Sequence, residues 1–471
     1  MKTKRLCMFL GGLIAMAISV SCHKNNVTPQ LSVSLTDITY APEGGTSGVI
    51  ITGNASWSIS NPVSWLQSNK TTGNSGTDSV VLTAALNVTG STRSAIVEVT
   101  SSNGQVRRIS VSQASTIYPS YNTTPQAPDT TGMGLTAVQL AAQIKLGWNI
   151  GNTMEAIGGE TAWGNPLITN EFVHLVKQSG FNAIRIPCSW DQYSDKATAK
   201  IQDAWLARVK QVVQYCVNNN MYVLLNIHWD GGWLENNCTP NKKDSVNAKQ
   251  KAFWEQIATT MRDFDEHLMF ASANEPNANN ATNMAVLLSY HQTFVNAVRS
   301  TGGRNRYRVL VVQGQSDLMN AFPADPTPGR MMFEEHEYTP SQFTILSSDA
   351  SWGNMVYYWG AGHHSTIEPS RNATWGEESD LNTYFQSMKA KFVDKGIPFL
   401  MGEYATQRRS TGPLDTATHQ ASVDYWLTFV TKQALANGLK PFLWETGSVL
   451  DRRNYTVLDP RTINAIMAGG K

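Results

Sequence analysis

Apolar runs recur eight times in the C-terminal part of the chain, and segments with helical periodicity separate most of them. The runs begin near Leu146, Phe181, Tyr222, Leu268, Arg308, Met331, Pro398 and Lys440. The clearest amphipathic segments are Thr169 to Gln178, Asp203 to Val217, Lys249 to Phe264 and Thr418 to Ala436. Alternating strands and helices over residues 135–471 predict an α/β fold, a (β/α)8 TIM barrel. A doubly wound open sheet is the alternative, but no Gly-rich phosphate loop follows the first strand.

Two of the apolar runs end in a glutamate. Leu268 to Pro276 reads LMFASANEP and ends in Asn274 and Glu275, and Pro398 to Ala405 reads PFLMGEYA and carries Glu403. Because the working residues of a barrel lie at the C-terminal ends of its strands, the two carboxylates are expected to face each other across a pocket. A facing acid and nucleophile are the minimal requirement for cleaving a glycosidic bond. Two unrelated strand-end glutamates are the alternative interpretation.

Most other predicted strands also end in residues that can contact a ligand, which a purely structural barrel does not need. They are Trp148, Asn149 and Asn152 after the first strand, Arg185 after the second, His228, Trp229 and Asp230 after the third, Glu335, His336 and Tyr338 after the sixth, and Trp444 and Glu445 after the eighth. The carboxylates that rival the pair are Glu334, Glu335, Glu337 and Glu445. Strand alternation predicts that Glu335 and Glu337 point away from His336, into the surrounding shell.

The chemistry of a retaining mechanism assigns different charges to the two glutamates. Arg185 and the Tyr338 hydroxyl are expected to keep Glu403 anionic, and this charge is expected to keep the proton on Glu275 near neutral pH. Asn274 is expected to donate to the 2-hydroxyl of the sugar, where hydrogen bonds strengthen in the transition state. No metal-ligand spacing appears, so the sequence predicts no metal and no other cofactor.

The N-terminal part of the chain has a different pattern, which predicts export followed by a small domain. Residues 1–22 combine a positive start with an apolar stretch too short to cross a bilayer, and they predict a signal peptide. Residues 23–30 are expected to be a tether. Short alternating strands over residues 31–115 predict a small all-β sandwich. Residues 116–134 contain prolines without an apolar period and predict a linker.

The charge balance limits the partners of the protein. Net charge is +1 and 15% of residues are charged, without a basic stripe, so a nucleic-acid partner is not expected. The 14 tryptophans suit a carbohydrate cleft, although packing explains many such residues, and packing is expected for Trp57 and Trp65. Cys188, Cys216 and Cys238 would remain after processing, and their odd number leaves a thiol free.

Five segments of the C-terminal part resemble glycoside hydrolase family 5, the cellulase family of retaining (β/α)8 enzymes. They read FNAIRIP, NIHWDGGW, HLMFASANEP, EEHEY and FLMGEYA. The resemblance covers residues 135–471 and implies that Glu275 is the acid/base and Glu403 the nucleophile. The residues that it implies for the central sugar subsite are Arg185, His228, Asn274, His336, Tyr338 and Trp444. The family often has His at the position of Trp229, a departure that leaves the catalytic pair intact.

The N-terminal part resembles two features of glycan-degrading bacteria. Trp57, Trp65, Arg93 and the closing ISVSQ run resemble the BACON domain, and residues 1–22 resemble a lipoprotein signal. The resemblance implies an exported outer-membrane lipoprotein at the cell surface or the periplasmic face, attached only through a lipid on Cys22 and expected to be monomeric. Ser19 departs from the usual aliphatic residue before Cys22, so cleavage without lipidation is the alternative.

The predicted function is that of a retaining endo-β-1,4-glucanase whose partner is a plant cell-wall β-glucan. The long segment Thr339 to Ser379 is expected to form a wall of an open cleft. Its aromatic residues are Trp352, Tyr357, Tyr358, Trp359 and Trp375. Xyloglucanase, mixed-linkage glucanase, xylanase and mannanase are alternatives on the same scaffold, because the choice depends on contacts worth only ~1–3 kcal/mol. A non-catalytic surface glycan-binding lipoprotein is the alternative from a different class.

Overall fold

The computed structural model describes residues 28–87, 89 and 91–471, and the chain divides into two compact units after Ser115. The predicted signal peptide, Cys22 and most of the tether at 23–30 lie outside the described residues. Among the helices of the described part, none is both long and apolar enough to cross a membrane.

The first unit is a sandwich of two sheets with a shared apolar core. Its strands are β1 Leu31–Val33, β2 Asp37–Tyr40, β3 Gly45–Gly53, β4 Trp57–Ser60, β5 Leu66–Ser68, β6 Thr72–Gly73, β7 Gly76–Ala84, β8 Arg93–Ser101 and β9 Val106–Gln113. One sheet has the order β1-β3-β7-β5 and the other β2-β9-β8-β4-β6. Alternate residues such as Val49 and Ile51 on β3, or Val97 and Val99 on β8, are buried, which confirms the predicted all-β sandwich.

Both tryptophans of the sandwich pack within it. Trp57 is buried in the core, and a Cβ on Gly73 would lie 2.2 Å from its indole ring. Trp65 is half-buried, and the Arg93 guanidinium lies 4.4 Å from its ring centroid in a cation–π contact. These contacts agree with the packing role predicted for the two residues.

The second unit contains a closed barrel of eight parallel strands. They are β10 Gly147–Ile150, β11 Ala183–Ile186, β12 Tyr222–Asn226, β13 Leu268–Ala271, β14 Leu310–Gln313, β15 Met331–Glu337, β16 Phe399–Tyr404 and β17 Lys440–Glu445. The helices are α1 Ala137–Gln143, α2 Asn170–Gln178, α3 Asp203–Asn218, α4 Lys243–Thr260, α5 Ala281–Ser300, α6 Ser341–Thr344, α7 Glu378–Lys391, α8 Thr416–Ala436 and α9 Pro460–Gly469. A short hairpin, β18 Leu450–Asp451 and β19 Thr456–Val457, follows the last barrel strand. The predicted (β/α)8 TIM barrel is therefore confirmed, and the open-sheet alternative is wrong.

Alternate side chains of the barrel strands fill the interior in two different layers. The lower layer is apolar, and Ala183, Leu224, Met332 and Phe442 belong to one cluster with Leu140 of α1. Two residues further along the same strands, the inward positions become polar or aromatic. They are Arg185, Asn226, Glu334 and Trp444. The period of two along each strand thus places the apolar core below and the reactive side chains above it.

A β-bulge in β16 turns Glu403 into the barrel. The pairing of β15 with β16 shifts between Glu335 and His336, so that Gly402 is skipped and Glu403 lies opposite His336. Strict alternation would have turned Gly402 inward and Glu403 outward. Glycine is required at the bulge, because a Cβ there would come within 2.1 Å of the Glu334 carboxylate.

The segment before the barrel, residues 116–134, belongs to the same compact unit as the barrel. We call it the entry segment. The N–H of Tyr121 donates to Glu255 Oε2 of α4 at 2.6 Å, and its hydroxyl donates to the carbonyl of Thr198 at 2.7 Å. The amide of Asn122 donates to the carbonyl of Ser300 at 2.9 Å. The segment has no regular helix, as its prolines predict, but it binds the helical ring rather than forming a simple linker, because the buried Glu255 carboxylate needs its donors.

Candidate active site

A buried guanidinium lies at the centre of the upper barrel layer. Arg185 is fully buried, and its Nε lies 2.8 Å from Glu334 Oε1 in an ion pair whose hydrogen bond is poorly aligned. Nη1 donates to Glu403 Oε1 at 2.7 Å and to Asn149 Oδ1 at 3.0 Å. Nη2 donates to Asn274 Oδ1 at 2.6 Å. One side chain thus ties together the ends of β10, β13, β15 and β16.

Glu403 is the more buried of the two predicted catalytic glutamates. Both its oxygens are occupied, since Arg185 donates to Oε1 and the Tyr338 hydroxyl donates to Oε2 at 2.9 Å. Burial raises the pKa of Glu403, while the charges of His336 and Arg185 and the Tyr338 hydrogen bond act in the opposite direction. The two donors stabilise the ionised form of Glu403 against the effect of burial, which suits a nucleophile.

Glu275 has the opposite environment, because its side chain is 56% exposed. Its backbone adopts φ +43°, in the left-handed region, which costs a non-glycine residue roughly 1–2 kcal/mol. The N–H of Glu275 donates to Gln313 Oε1 at 2.6 Å and helps to hold this conformation. His336 Nδ1 lies 2.8 Å from Oε1, and this hydrogen bond lowers the pKa of Glu275. The structure thus differs from the expectation that the Glu403 charge keeps Glu275 protonated, because the hydrogen bond from His336 stabilises the ionised form of Glu275.

His336 stands between the two glutamates. Nδ1 is 2.8 Å from Glu275 Oε1 and 3.5 Å from Glu403 Oε2. Gln313 accepts from the Glu275 N–H, so its amide nitrogen must face His336 Nε2, at 2.8 Å. Nδ1 therefore carries a proton in either charge state of the ring and donates it to Glu275. Burial by itself lowers the pKa of His336, but the surrounding carboxylates, with Glu403 first, raise it above its ordinary value.

These residues open onto a cleft of about 960 Å³ at the C-terminal ends of the strands. His228, Asn274, Tyr338 and Trp444 line it together with the two glutamates. The half-buried indole of Trp444 is nearly parallel to the His228 ring, with centroids 5.7 Å apart and planes 7° apart. Burial, followed by the positive charges of Arg185 and His336, lowers the pKa of His228, so the ring is neutral. The structure therefore brings all eight predicted site residues of the barrel to one place, while their roles stay predictions.

Comparison with known proteins identifies the family of the chain. The sequence model of the cellulase family, glycosyl hydrolase family 5, matches residues 149–448. The chain belongs to glycosyl hydrolase family 5. It is thus a glycoside hydrolase of the endo-β-1,4-glucanase type, which confirms the enzyme predicted from the sequence. Residues 55–114 match the model of the BACON family, which confirms the resemblance of the N-terminal unit to that domain.

The similar proteins and solved structures include enzymes named for different glucans. A xyloglucan-specific endo-β-1,4-glucanase of Bacteroides ovatus is 35% identical over 462 residues, covering 92% of this chain and 90% of its own length. The structure of a Bacteroides ovatus family 5 xyloglucanase with a XXXG heptasaccharide has a TM-score of 0.70 at 32% identity, and covers 94% of this chain and all of that one. The structure of a broad-specificity endoglucanase of Ruminococcus champanellensis with bound cellotriose has a TM-score of 0.61 at 31% identity. The match covers 71% of this chain and 98% of that one.

Three residues of this family 5 site were not singled out from the sequence. Glu334 stands in the sequence only as a rival carboxylate, and the structure buries it fully against Arg185. Gln313 ends the apolar run of β14, and that abrupt change from Val312 to an amide was a usable signal. Glu235 lies in the loop after β12, and the Gly231-Gly232 turn that returns this loop to the rim was its only sequence signal.

The other rival carboxylates have structural partners. Glu335 accepts from the N–H of Ser316 at 2.8 Å and from the Tyr384 hydroxyl at 2.9 Å, in the outer shell. Glu337 accepts from the N–H of Thr339. Glu445 forms an ion pair with Arg452 at 2.8 Å. The outward orientation expected for Glu335 and Glu337 matches these contacts.

The long segment after β15 forms less of the cleft wall than expected. Tyr357, Tyr358 and Trp359 are buried, and only Trp352 and Trp375 of its five named aromatics are exposed. The cleft is lined from this segment by Thr344 and Ile345. The expectation of an aromatic wall was therefore wrong for three of the five residues, because they pack the loop itself.

Three side chains of the candidate active site have the spacing of ligands for a cation. One ligand atom from each of Glu275, His336 and Glu403 lies within 4.8 Å of the others. The Arg185 guanidinium, 2.7 Å from Glu403, already supplies positive charge there and opposes a second cation. Glycosidic cleavage by two carboxylates does not require a metal.

Proposed function

We propose that this protein is a retaining endo-β-1,4-glucanase that acts on xyloglucan. The observation that supports a retaining mechanism is the close approach of the two glutamates. An oxygen of Glu275 and an oxygen of Glu403 lie within 4.8 Å of each other, which is nearer to the ~5–5.5 Å between carboxyl groups in retaining enzymes than to the ~6.5–9.5 Å in inverting ones.

In this proposal Glu403 is the nucleophile and Glu275 the acid/base. Arg185 and Tyr338 hold the Glu403 carboxylate in place for attack on the anomeric carbon. A glucan bound over the exposed Glu275 side chain would exclude water from it and raise its pKa, so that it carries the proton needed by the leaving group. Formation of the ester removes the charge of Glu403, and Glu275 then accepts a proton from the attacking water.

The preference for a branched glucan rests on similarity and on the shape of the cleft. The xyloglucan-specific relative aligns with nearly the whole chain, including its N-terminal part. The cleft extends from Trp444 between the loops after β16 and β17 as far as Leu427 of α8 and Thr462 of α9. We infer that this part of the cleft accommodates a side branch of the glucan. Broad activity on unbranched β-1,4-glucan is the second candidate, favoured by the endoglucanase relatives.

A panel of soluble polysaccharides tests the proposal. Xyloglucan should be cleaved with a higher kcat/KM than carboxymethyl-cellulose, mixed-linkage glucan or mannan, and sizing of early products should show internal cleavage. Equal rates on xyloglucan and carboxymethyl-cellulose would favour the broad-specificity candidate, and release of monosaccharide alone would contradict an endo mechanism.

The roles of the two glutamates are tested separately. Glu403→Ala should lose nearly all hydrolysis, and azide should restore cleavage with inverted configuration of the glycosyl product. Glu275→Ala should keep most of its kcat/KM on aryl glycosides with good leaving groups, whose departure needs no proton. Its kcat should fall, because hydrolysis of the glycosyl-enzyme still needs the base. Near wild-type hydrolysis of polysaccharide by either variant would contradict the assignment.

We also propose that the protein is exported and anchored to the outer membrane as a monomer through a lipid on Cys22. The basis is the signal-like pattern of residues 1–22 and the carbohydrate substrate, a polymer found outside the cell. Labelling with a radioactive fatty acid should mark the wild-type protein and not Cys22→Ser. Release of both into the medium without label would show cleavage without lipidation.

A further inference from the structure

The loop after β12 carries a buried acid that the catalytic scheme above does not use. Glu235 is 6% exposed, and its Oε1 accepts a hydrogen bond from Asn274 Nδ2 at 3.3 Å. Burial raises the pKa of Glu235 to about 8. The hydrogen bond from Asn274 opposes this rise, and the charges of Glu275 and Glu403 add to it. The carboxyl group is therefore mostly uncharged at neutral pH.

The amide of Asn274 is held at both ends. Arg185 can only donate hydrogen bonds, so the atom 2.6 Å from its Nη2 must be the amide oxygen. The amide nitrogen then faces Glu235. One of its N–H bonds is directed to Glu235 Oε1, and the second is left for the cleft, which Asn274 lines.

We propose that Glu235 is a positioning residue, which holds the Asn274 amide so that its second N–H donates to the 2-hydroxyl of the sugar undergoing cleavage. This inference rests on the proposed glucanase function. Hydrogen bonds to that hydroxyl strengthen as the transition state forms, so the effect belongs to kcat more than to KM. A neutral acid suits the position, because its carbonyl oxygen accepts from Asn274 without adding another negative charge beside Glu275 and Glu403.

The test compares two substrates that differ only in the 2-hydroxyl. The rate of cleavage is measured for an aryl β-cellotrioside and for its analogue that lacks the 2-hydroxyl on the sugar bonded to the aryl group. The wild-type enzyme should prefer the complete substrate by about 10²-fold or more. Glu235→Leu and Glu235→Ala remove the acceptor and should lower kcat on the complete substrate by roughly 10-fold or more, while the rate on the deoxy substrate changes little. The ratio of the two rates does not depend on the folded fraction, so even a poorly folded variant gives an answer.

Two control variants separate positioning from general damage. Glu235→Gln keeps an oxygen acceptor and should keep the wild-type ratio. Glu155→Gln changes another buried acid, whose pKa is raised to about 7 mainly by burial and whose carboxylate accepts the N–H of Thr153 at 2.9 Å, and it should also keep the ratio.

The possible results are distinct. Equal losses on both substrates in the Leu and Ala variants, or an unchanged ratio, would overturn the role of Glu235. If the wild-type enzyme cleaves neither the aryl glycosides nor xyloglucan, the proposed glucanase function fails first, and the inference fails with it. If the wild-type enzyme cleaves both at equal rates, the 2-hydroxyl contact fails while the glucanase function stands.

Discussion

Replacing Glu334 with Gln tests whether a buried acid sets the position of Arg185. The change keeps the size of the side chain but removes a charge 2.8 Å from Arg185 Nε, where neither side chain is exposed to solvent. Removing one partner of a buried ion pair typically costs about 3–5 kcal/mol, because the other charge is left uncompensated. Glu403 also pairs with Arg185, so we expect the lower end, about 3 kcal/mol. At about 2 °C per kcal/mol for a large domain, the melting temperature of the barrel should fall by roughly 6 °C.

Glu334→Gln should also reduce the activity of the folded enzyme, beyond any loss caused by unfolding. Arg185 holds Glu403 and Asn274 through two other nitrogens, and loss of the Glu334 anchor lets the guanidinium shift toward them. A misplacement of about 1 Å at a reacting group can cost about 10²-fold in rate. We therefore expect kcat/KM on a soluble glucan to fall by about 10²-fold at a temperature where calorimetry shows the variant fully folded.

Asp325→Asn is the matched control for Glu334→Gln. Asp325 pairs with Arg299 at 2.7 Å, and the two side chains are 6% and 3% exposed. Arg299 also donates to the carbonyl of Arg308, just before β14 begins, at the end of the barrel away from the cleft. The control should lose a similar amount of stability and little activity. If Glu334→Gln loses no more activity than this control, the reasoning about Arg185 is refuted.

Three further expectations concern the cleft, the entry segment and pH. Trp444→Phe shrinks the flat surface beside the catalytic pair and should lower kcat/KM at an unchanged melting temperature; a lower melting temperature with intact kcat/KM would make this residue part of the core. A protein that starts at Thr131 should melt below one that starts at Thr116, because Glu255 loses its backbone donors, and equal melting temperatures would contradict this. The pKa of Glu235 rises from 4.5 to about 8 on folding, so its stabilising effect is complete below pH 4.5 and is lost as pH rises through 8. Calorimetry between pH 5 and 8 should show a decline in stability that Glu235→Gln makes shallower.

The sequence predicted the parts of this structure that depend on local pattern. An apolar run must be buried wherever it lies, so the runs beginning near Tyr222 and Leu268 marked barrel strands within a residue or two. A polar residue at the end of such a run must leave the core at the strand's C-terminal end. That is why Glu275 and Glu403 could be expected to meet before their distance was known.

The remaining features depend on contacts between residues far apart in the chain. Glu334 and Arg185 are 149 positions apart in sequence, and nothing near either residue shows that they pair. The bulge at Gly402 reverses the side on which Glu403 would otherwise lie, and a period-two argument cannot show it. Gln313 contacts His336 Nε2, and His336 Nδ1 donates to Glu275. These contacts affect the pKa of Glu275, and they exist only in the assembled barrel.

The entry segment also sets an order of events during synthesis. It leaves the ribosome long before the residues that it binds, because Glu255 follows Ser120 by 135 positions and Ser300 follows Asn122 by 178. At about 5–20 residues per second, the wait for Glu255 is roughly 7–27 s. The sandwich is complete in sequence throughout this interval, whereas the entry segment has none of these partners. We therefore expect the sandwich to fold first on the nascent chain, and the entry segment to dock only after α4 and α5 have emerged.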